Sequence, residues 1–180
     1  MRTFIAVRIP EHPSLAEPVL KLKSTNEMKT YGPKGLHLTL CFIGDIAESE
    51  VRDVIDALNE ATDGLNSFDV SVRGMGTFPG RVGARVLWIG AESKGVLETL
   101  SEKISDNLNK KGIYHDGRKF VPHVTVGRSK DINGSVTAKE IAEENENREF
   151  FSFSCDKITV YSSELRPEGP VHRSIYEKIL

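Results

Sequence analysis

The chain has 180 residues, with 24 Lys and Arg against 26 Asp and Glu, a formal net charge of −2 and 38% hydrophobic residues. This suffices for one domain, residues 1–180, with a real core and no disulfide framework, and it excludes a protein held to nucleic acid mainly by a broad basic field. No stretch approaches a membrane span, and the apolar run Phe4-Ile5-Ala6-Val7 is too short for a secretory core, so a cytoplasmic monomer is expected, with Cys41 and Cys155 as buried reduced thiols.

Taken in order, Thr3 to Ile9 alternates Ile5, Val7 and Ile9 against Phe4, Ala6 and Arg8, a strand closed by Pro10. Ser14-Leu15-Ala16-Glu17 reads as a capping box, opening a helix with Leu15, Val19 and Leu22 at helical spacing that ends before Gly32-Pro33. Leu36 to Phe42 alternates again, which turns Leu36, Leu38 and Leu40 to one face and His37, Thr39 and Cys41 to the other. Val51, Val54, Ile55 and Leu58 mark a second amphipathic helix, closed by Asp63-Gly64. Phe68, Val70 and Val72 form a strand that a glycine-rich loop through Phe78-Pro79-Gly80 joins, as a hairpin, to Arg85-Val86-Leu87-Trp88-Ile89.

From Ser93 the same order begins again. Leu97, Leu100, Ile104 and Leu108 lie on one helical face, ending at Lys110-Lys111-Gly112. A strand Val121-Pro122-His123-Val124-Thr125-Val126 follows, then a second capping box, Thr137-Ala138-Lys139-Glu140, before a short acidic helix. Phe151, Phe153, Cys155, Ile158 and Val160 continue as extended structure, and Ile175 to Ile179 is the last strand. Each half reads helix, His-x-Thr strand, helix, strand, strand. The expected fold is therefore α+β, bilobal and internally duplicated, with two antiparallel sheets flanked by helices and a central cleft. A pseudo-twofold axis between the halves would bring His37 and His123 together.

One His-x-Thr strand would read as an ordinary half-buried strand, with Thr present for β propensity. Two, 86 positions apart, are expected by chance in only about 3% of chains with five histidines and ten threonines. Facing imidazoles can serve as neutral base and charged acid near neutral pH, which suits phosphodiester cleavage without a metal. Thr39 and Thr125 can donate hydroxyl hydrogen bonds to phosphate oxygens where charge develops. Arg128, just past the second motif, is the best-placed cation and Arg85 a lesser candidate, each weighed against a plain surface charge. No His-Glu-x-x-His, Cys-x-x-Cys or phosphate-binding glycine loop occurs, so neither metal nor cofactor is implied. His12 and His115 read as surface residues, whereas His172 either lines the same cleft or faces water.

These residues resemble the 2H phosphoesterase superfamily, and within it the RNA 2′,3′-cyclic phosphodiesterases, also called the 2′-5′ RNA ligase family. The resemblance rests on Arg2-Thr3-Phe4-Ile5-Ala6-Val7, His37-Leu38-Thr39-Leu40 with Phe42-Ile43-Gly44, Phe78-Pro79 followed by Arg85 to Gly90, Pro122-His123-Val124-Thr125-Val126 with Arg128, and Ser162-Ser163-Glu164-Leu165. It implies a metal-independent bilobal enzyme in which His37 donates a proton and His123 accepts one. Val171-His172 departs from the family where an aromatic residue is common, and Gly83-Ala84 where a proline is common. The expected activity is hydrolysis of RNA 2′,3′-cyclic phosphates to 2′-phosphomonoesters, with reverse 2′-5′ joining possible in principle. Expected partners are RNA ends or tRNA fragments carrying the cyclic phosphate and small cyclic nucleotides. The rival reading is a non-catalytic nucleotide or RNA-end binding module.

Overall fold

The computed structural model describes residues 1–32, 35–167 and 169–180. Its elements are β1 (Arg2–Arg8), α1 (Ala16–Thr25), β2 (Met28–Thr30), β3 (His37–Asp45), α2 (Val51–Ala61), β4 (Phe68–Gly80), β5 (Gly83–Glu92), α3 (Val96–Lys110), β6 (His123–Ser129), α4 (Ile132–Glu144), β7 (Glu149–Cys155), β8 (Lys157–Arg166) and β9 (Gly169–Ile179). Strands and helices thus combine as an α+β fold whose sheet is antiparallel throughout.

Hydrogen bonding follows one path, β7-β4-β5-β6-β3-β1-β8-β9, with β2 on the edge of β6. This corrects the expectation of two separate sheets. The central link is thin, however, since β3 and β6 pair only at Leu38 and Val124. Four strands of that path lie on either side of the junction, with β2 added on the β6 side. Each motif strand is the innermost of its four, with hydrogen-bonded neighbours on both edges, and its Leu or Val face is buried. Leu38, Val124, Leu87 and Ile5 are at most 1% exposed and belong to one continuous core. α4 packs on β4, β5 and β6, while α3 packs on β3 and α2.

Both motif strands carry a bulge immediately after their threonine. Opposite β1, Ile5 pairs with Cys41 and Ala6 with Thr39, which leaves Leu40 as the extra residue. Opposite β5, Leu87 pairs with Gly127 and Trp88 with Thr125, which leaves Val126 extra. A bulge inverts the alternation beyond it. Cys41 therefore turns into the core beside Leu40 instead of sharing the face of His37. There burial, aided by the Asp116 carboxylate, pushes its thiol up to about 12, and Cys155 is likewise pushed up to about 11. Both cysteines are free.

Two expected helix starts are displaced. His12, not Ser14, opens the first helical turn, its Nδ1 accepting from the Ser14 amide at 3.2 Å, and α1 begins only at Ala16. Glu17 instead pairs with Arg148 at 2.8 Å. α4 begins at Ile132, where the Asp131 carboxylate accepts from the Gly134 amide at 2.9 Å. Thr137 thus lies inside the helix and donates to the Glu27 carboxylate at 2.5 Å. Gly134 is required there, because a β-carbon would sit 2.5 Å from the Glu27 carbonyl oxygen. Phe78-Pro79-Gly80 belongs to β4 rather than to the hairpin loop, and the three-residue strand β2 replaces the expected helix end. Pro33, at that expected end, lies outside the described residues.

Leu38 is the test of the junction. Leu38→Ala leaves a cavity at the single point where the two groups of strands meet and is expected to lower stability by about 2–5 kcal/mol in urea unfolding. A loss below about 1 kcal/mol would show that the junction does not depend on this contact.

Candidate active site

Residues directly opposite on antiparallel strands share a face, so the pairing of Leu38 with Val124 settles what surrounds it. It puts His37 and Thr39 of β3 and His123 and Thr125 of β6 together on the opposite face of the sheet. All four side chains point away from the buried Leu and Val face and are half-buried.

Both histidines are anchored in the same way. His37 Nδ1 lies 3.1 Å from the Gly35 carbonyl oxygen, and His123 Nδ1 lies 2.6 Å from that of Val121, in each case two residues back. A carbonyl only accepts, so Nδ1 carries the hydrogen and donates it. In each neutral ring Nε2 is then the free acceptor, available for proton transfer. Such a pair can give and take one proton each across a shared space.

Aromatic rings hold the imidazoles from the sides. Phe4, on the face of β1 that its alternation predicts, lies 5.1 Å from His37 between ring centroids and stacks at 5.2 Å on Tyr161 of β8. Phe78 meets His123 edge-on at 4.8 Å, and Trp88 lies 6.5 Å from it. Trp88 can lie flat because its cross-strand partner Gly76 has no side chain, and a β-carbon there would collide with the indole. The flank of paired aromatics was not legible as a site from single strands, because it comes from four of them.

Arg128 reaches the site through the second bulge. Five positions after His123 it would face the core in a regular strand, but the extra Val126 returns it to the exposed His face. There its Nε donates to the Tyr31 hydroxyl at 3.3 Å. Arg85 lines a hollow beside Arg128. His172 does line the cleft: β9 brings its ring to 5.1 Å from His37 and 4.9 Å from Phe4, both edge-on. Arg8 is also missed by motif reasoning, although the register sets it directly across from His37. The other two histidines lie elsewhere. His12 stacks on Phe151, and His115 is not a surface residue but is buried, with Nε2 2.6 Å from the Ser105 hydroxyl. Among the described residues no cluster of three or more His, Cys, Asp or Glu side chains could hold a metal ion.

Residues 11–166 match the model of the 2′-5′ RNA ligase superfamily. The chain belongs to this superfamily. It is 32% identical to the RNA 2′,3′-cyclic phosphodiesterase of Methanothermobacter thermautotrophicus, covering 96% of this chain and 95% of that one, and 32% identical to the enzyme of the same name from Thermotoga maritima, covering 98% and 94%. Among solved structures, a Thermus thermophilus protein superposes with a TM-score of 0.81 at 29% identity, covering 100% of this chain and 98% of that one. Escherichia coli LigT complexed with 3′-AMP superposes with a TM-score of 0.76 at 19% identity, covering 99% and 97%, a likeness of fold.

In this member of the superfamily the cleft disfavours imidazolium. Burial lowers the pKa of His37, partly offset by the Gly35 carbonyl. Burial is also the main cause for His123, where the Val121 carbonyl opposes it while the Arg128 and Arg118 charges add to it. His172 is lowered by burial and then by His37. All three therefore bind fewer protons folded than unfolded below the ordinary imidazole value of about 6.5. Their contribution to stability is complete above that value and is lost as pH falls through the depressed values. The urea midpoint is expected to fall between pH 7 and pH 5, with a shallower slope in the His37→Gln, His123→Gln double variant. An identical slope in that variant would locate the pH dependence in other groups.

Proposed function

We propose that this chain hydrolyses RNA 2′,3′-cyclic phosphates to 2′-phosphomonoesters with His37 as general acid and His123 as general base. The observation that carries the proposal is the matched anchoring of two His-x-Thr strands about one antiparallel pair, which leaves two free Nε2 atoms on one face. The names of the relatives, similar over nearly their whole length, support the same substrate class.

In the proposed reaction His123 Nε2 takes a proton from water, and the oxygen forms a bond to phosphorus. The bond from phosphorus to the 3′ oxygen breaks, and His37 Nε2 gives its proton to that oxygen. A 2′-phosphate and a free 3′-hydroxyl result, with the proton passed back from His123 to His37 through solvent. The hydroxyls of Thr39 and Thr125 donate to the non-bridging oxygens, and Arg128 offsets the charge that builds on them. Neither a metal nor a cofactor is needed for these steps, because both proton transfers have a protein donor or acceptor. Run backwards, the same groups join a cyclic phosphate to a 5′-hydroxyl.

The inner arrangement supports a duplicated, two-lobed origin for the site. In one lobe β7, β4 and β5 precede β6, and in the other β9, β8 and β1 precede β3, counting inward. Each motif strand then carries the same carbonyl anchor and the same bulge after its threonine. As a single domain acting alone in the cytoplasm, the protein would meet RNA ends and tRNA fragments left by cleavage.

His37 and His123 are both held below the ordinary imidazole range in the free protein, which suits the base better than the acid. A bound phosphate anion favours imidazolium, so the alkaline limb of the kcat profile is expected at higher pH than that of kcat/KM. Because the two rings titrate as a pair, the limbs belong to the pair. With a nucleoside 2′,3′-cyclic phosphate in EDTA, His37→Ala and His123→Ala are each expected to lose at least ~10²-fold in kcat while nucleotide Kd moves by less than tenfold. Near wild-type turnover by His123→Ala would pass the role of base to another group. Tight binding without product in the wild type would instead leave a nucleotide-binding module.

A further inference from the structure

At the end of β6 farthest from His123, Lys29, Arg85, Arg128, Ser129 and Lys130 line a hollow of about 360 Å³. Four of the five carry positive charge and none is acidic, in a chain whose net charge is −2. Among the described residues none of these four cations pairs with a carboxylate, whereas cations elsewhere such as Lys21, Arg148 and Lys157 do. The arrangement is also unfavourable when empty. β2 pairs along the edge of β6 so that Lys29 stands directly across from Arg128, and like charges at that position repel. An anion between them removes the repulsion.

The hollow and the candidate active site lie along one strand. Thr125 and Arg128 share β6, three residues and about 10 Å apart along the backbone. The Tyr31 hydroxyl, which accepts from Arg128, keeps its own hydrogen free to donate. Lys130 is held in place by the Asn26 carbonyl oxygen at 2.9 Å. An RNA end with its cyclic phosphate at the histidines carries its next phosphate on the 5′ side of the same nucleotide, a short reach from the first.

We propose that this basic hollow is a second phosphate subsite, which takes the phosphodiester on the 5′ side of the terminal nucleotide, so that the chain discriminates RNA ends from free nucleoside cyclic phosphates. The proposal rests on the function proposed above, and it makes Lys29, Arg85 and Lys130 determinants of substrate class. Arg128, three residues from Thr125 on the same strand and in the lining of the hollow, stands between the two phosphates.

The test compares cytidine 2′,3′-cyclic phosphate with the same compound bearing a 5′-phosphate, so that the two ligands differ only in the group assigned to the hollow. Dissociation constants are measured by calorimetry and KM by product formation. At low salt the 5′-phosphorylated compound is expected to bind at least tenfold more tightly. That advantage shrinks with added salt, and it falls below about threefold in Lys29→Gln, Lys130→Gln. With a short oligoribonucleotide ending in the cyclic phosphate, each lysine removed is expected to reduce the slope of log affinity against log salt by about 0.7. Equal affinity of the wild type for the two compounds, or an advantage that survives in the double variant, would overturn the subsite. Absence of product from both compounds with the affinity difference intact would overturn the catalytic reading and leave the subsite standing.

Discussion

The contact between Leu38 and Val124 is where the molecule is held together and where its chemistry is set. Two four-stranded groups meet there through one pair of residues, and the buried side of that pair is core while the other side is the cleft. Because opposite residues in an antiparallel pair share a face, one pairing places both His-x-Thr faces on the same side of the sheet. A slip of one residue would send both imidazoles into the core. The hydrophobic face therefore enforces the polar one: burying Leu38, Leu40, Val124 and Val126 leaves His37, Thr39, His123 and Thr125 nowhere else to point.

That junction produces a symmetric cleft with unsymmetric surroundings. Each imidazole is fixed by a backbone carbonyl through Nδ1 and offers Nε2, but their neighbours differ. His37 sits among Phe4, Tyr161 and His172, with no cation among the causes of its shift. His123 sits beside Phe78 and Trp88 and feels Arg128 and Arg118. A positive field favours the neutral ring, which is the form a base must have. Aromatic rings thus flank both imidazoles, while the second imidazole, His172, stands beside His37 and the Arg128 and Arg118 charges act on His123. His172 adds a further imidazole beside His37.

The bulges carry more of the function than their size suggests. Each adds one residue after the threonine of its motif, which sends the next side chain into the core and returns a later one to the cleft. In β3 that returned residue is Phe42, whose ring lies under the Arg2 guanidinium at 5.1 Å. In β6 it is Arg128. Equivalent positions of the two motif strands thus present a cation directly in one case and through an aromatic ring in the other.

From the sequence alone, the motif strands, their buried faces, the helices α2 and α3, the β4–β5 hairpin and the pair His37 and His123 were all legible, because alternation and helical spacing are local consequences of burying one side of a chain. Caps were less so. Ser14 and Thr137 have the right spacing, but His12 and Asp131 sit where the chain actually turns, and Glu17 and Thr137 are drawn instead to Arg148 and Glu27 from other parts of the fold. The bulges left no local sign, so Cys41 was expected on the wrong face. Only the tertiary structure decided the rest: that the sheet closes through a single pair, that His172 reaches His37 and His115 does not, and that Lys29, Arg85 and Lys130 gather around Arg128. These depend on which strands become neighbours, and that choice is made by the shared core, over sequence separations no local pattern spans.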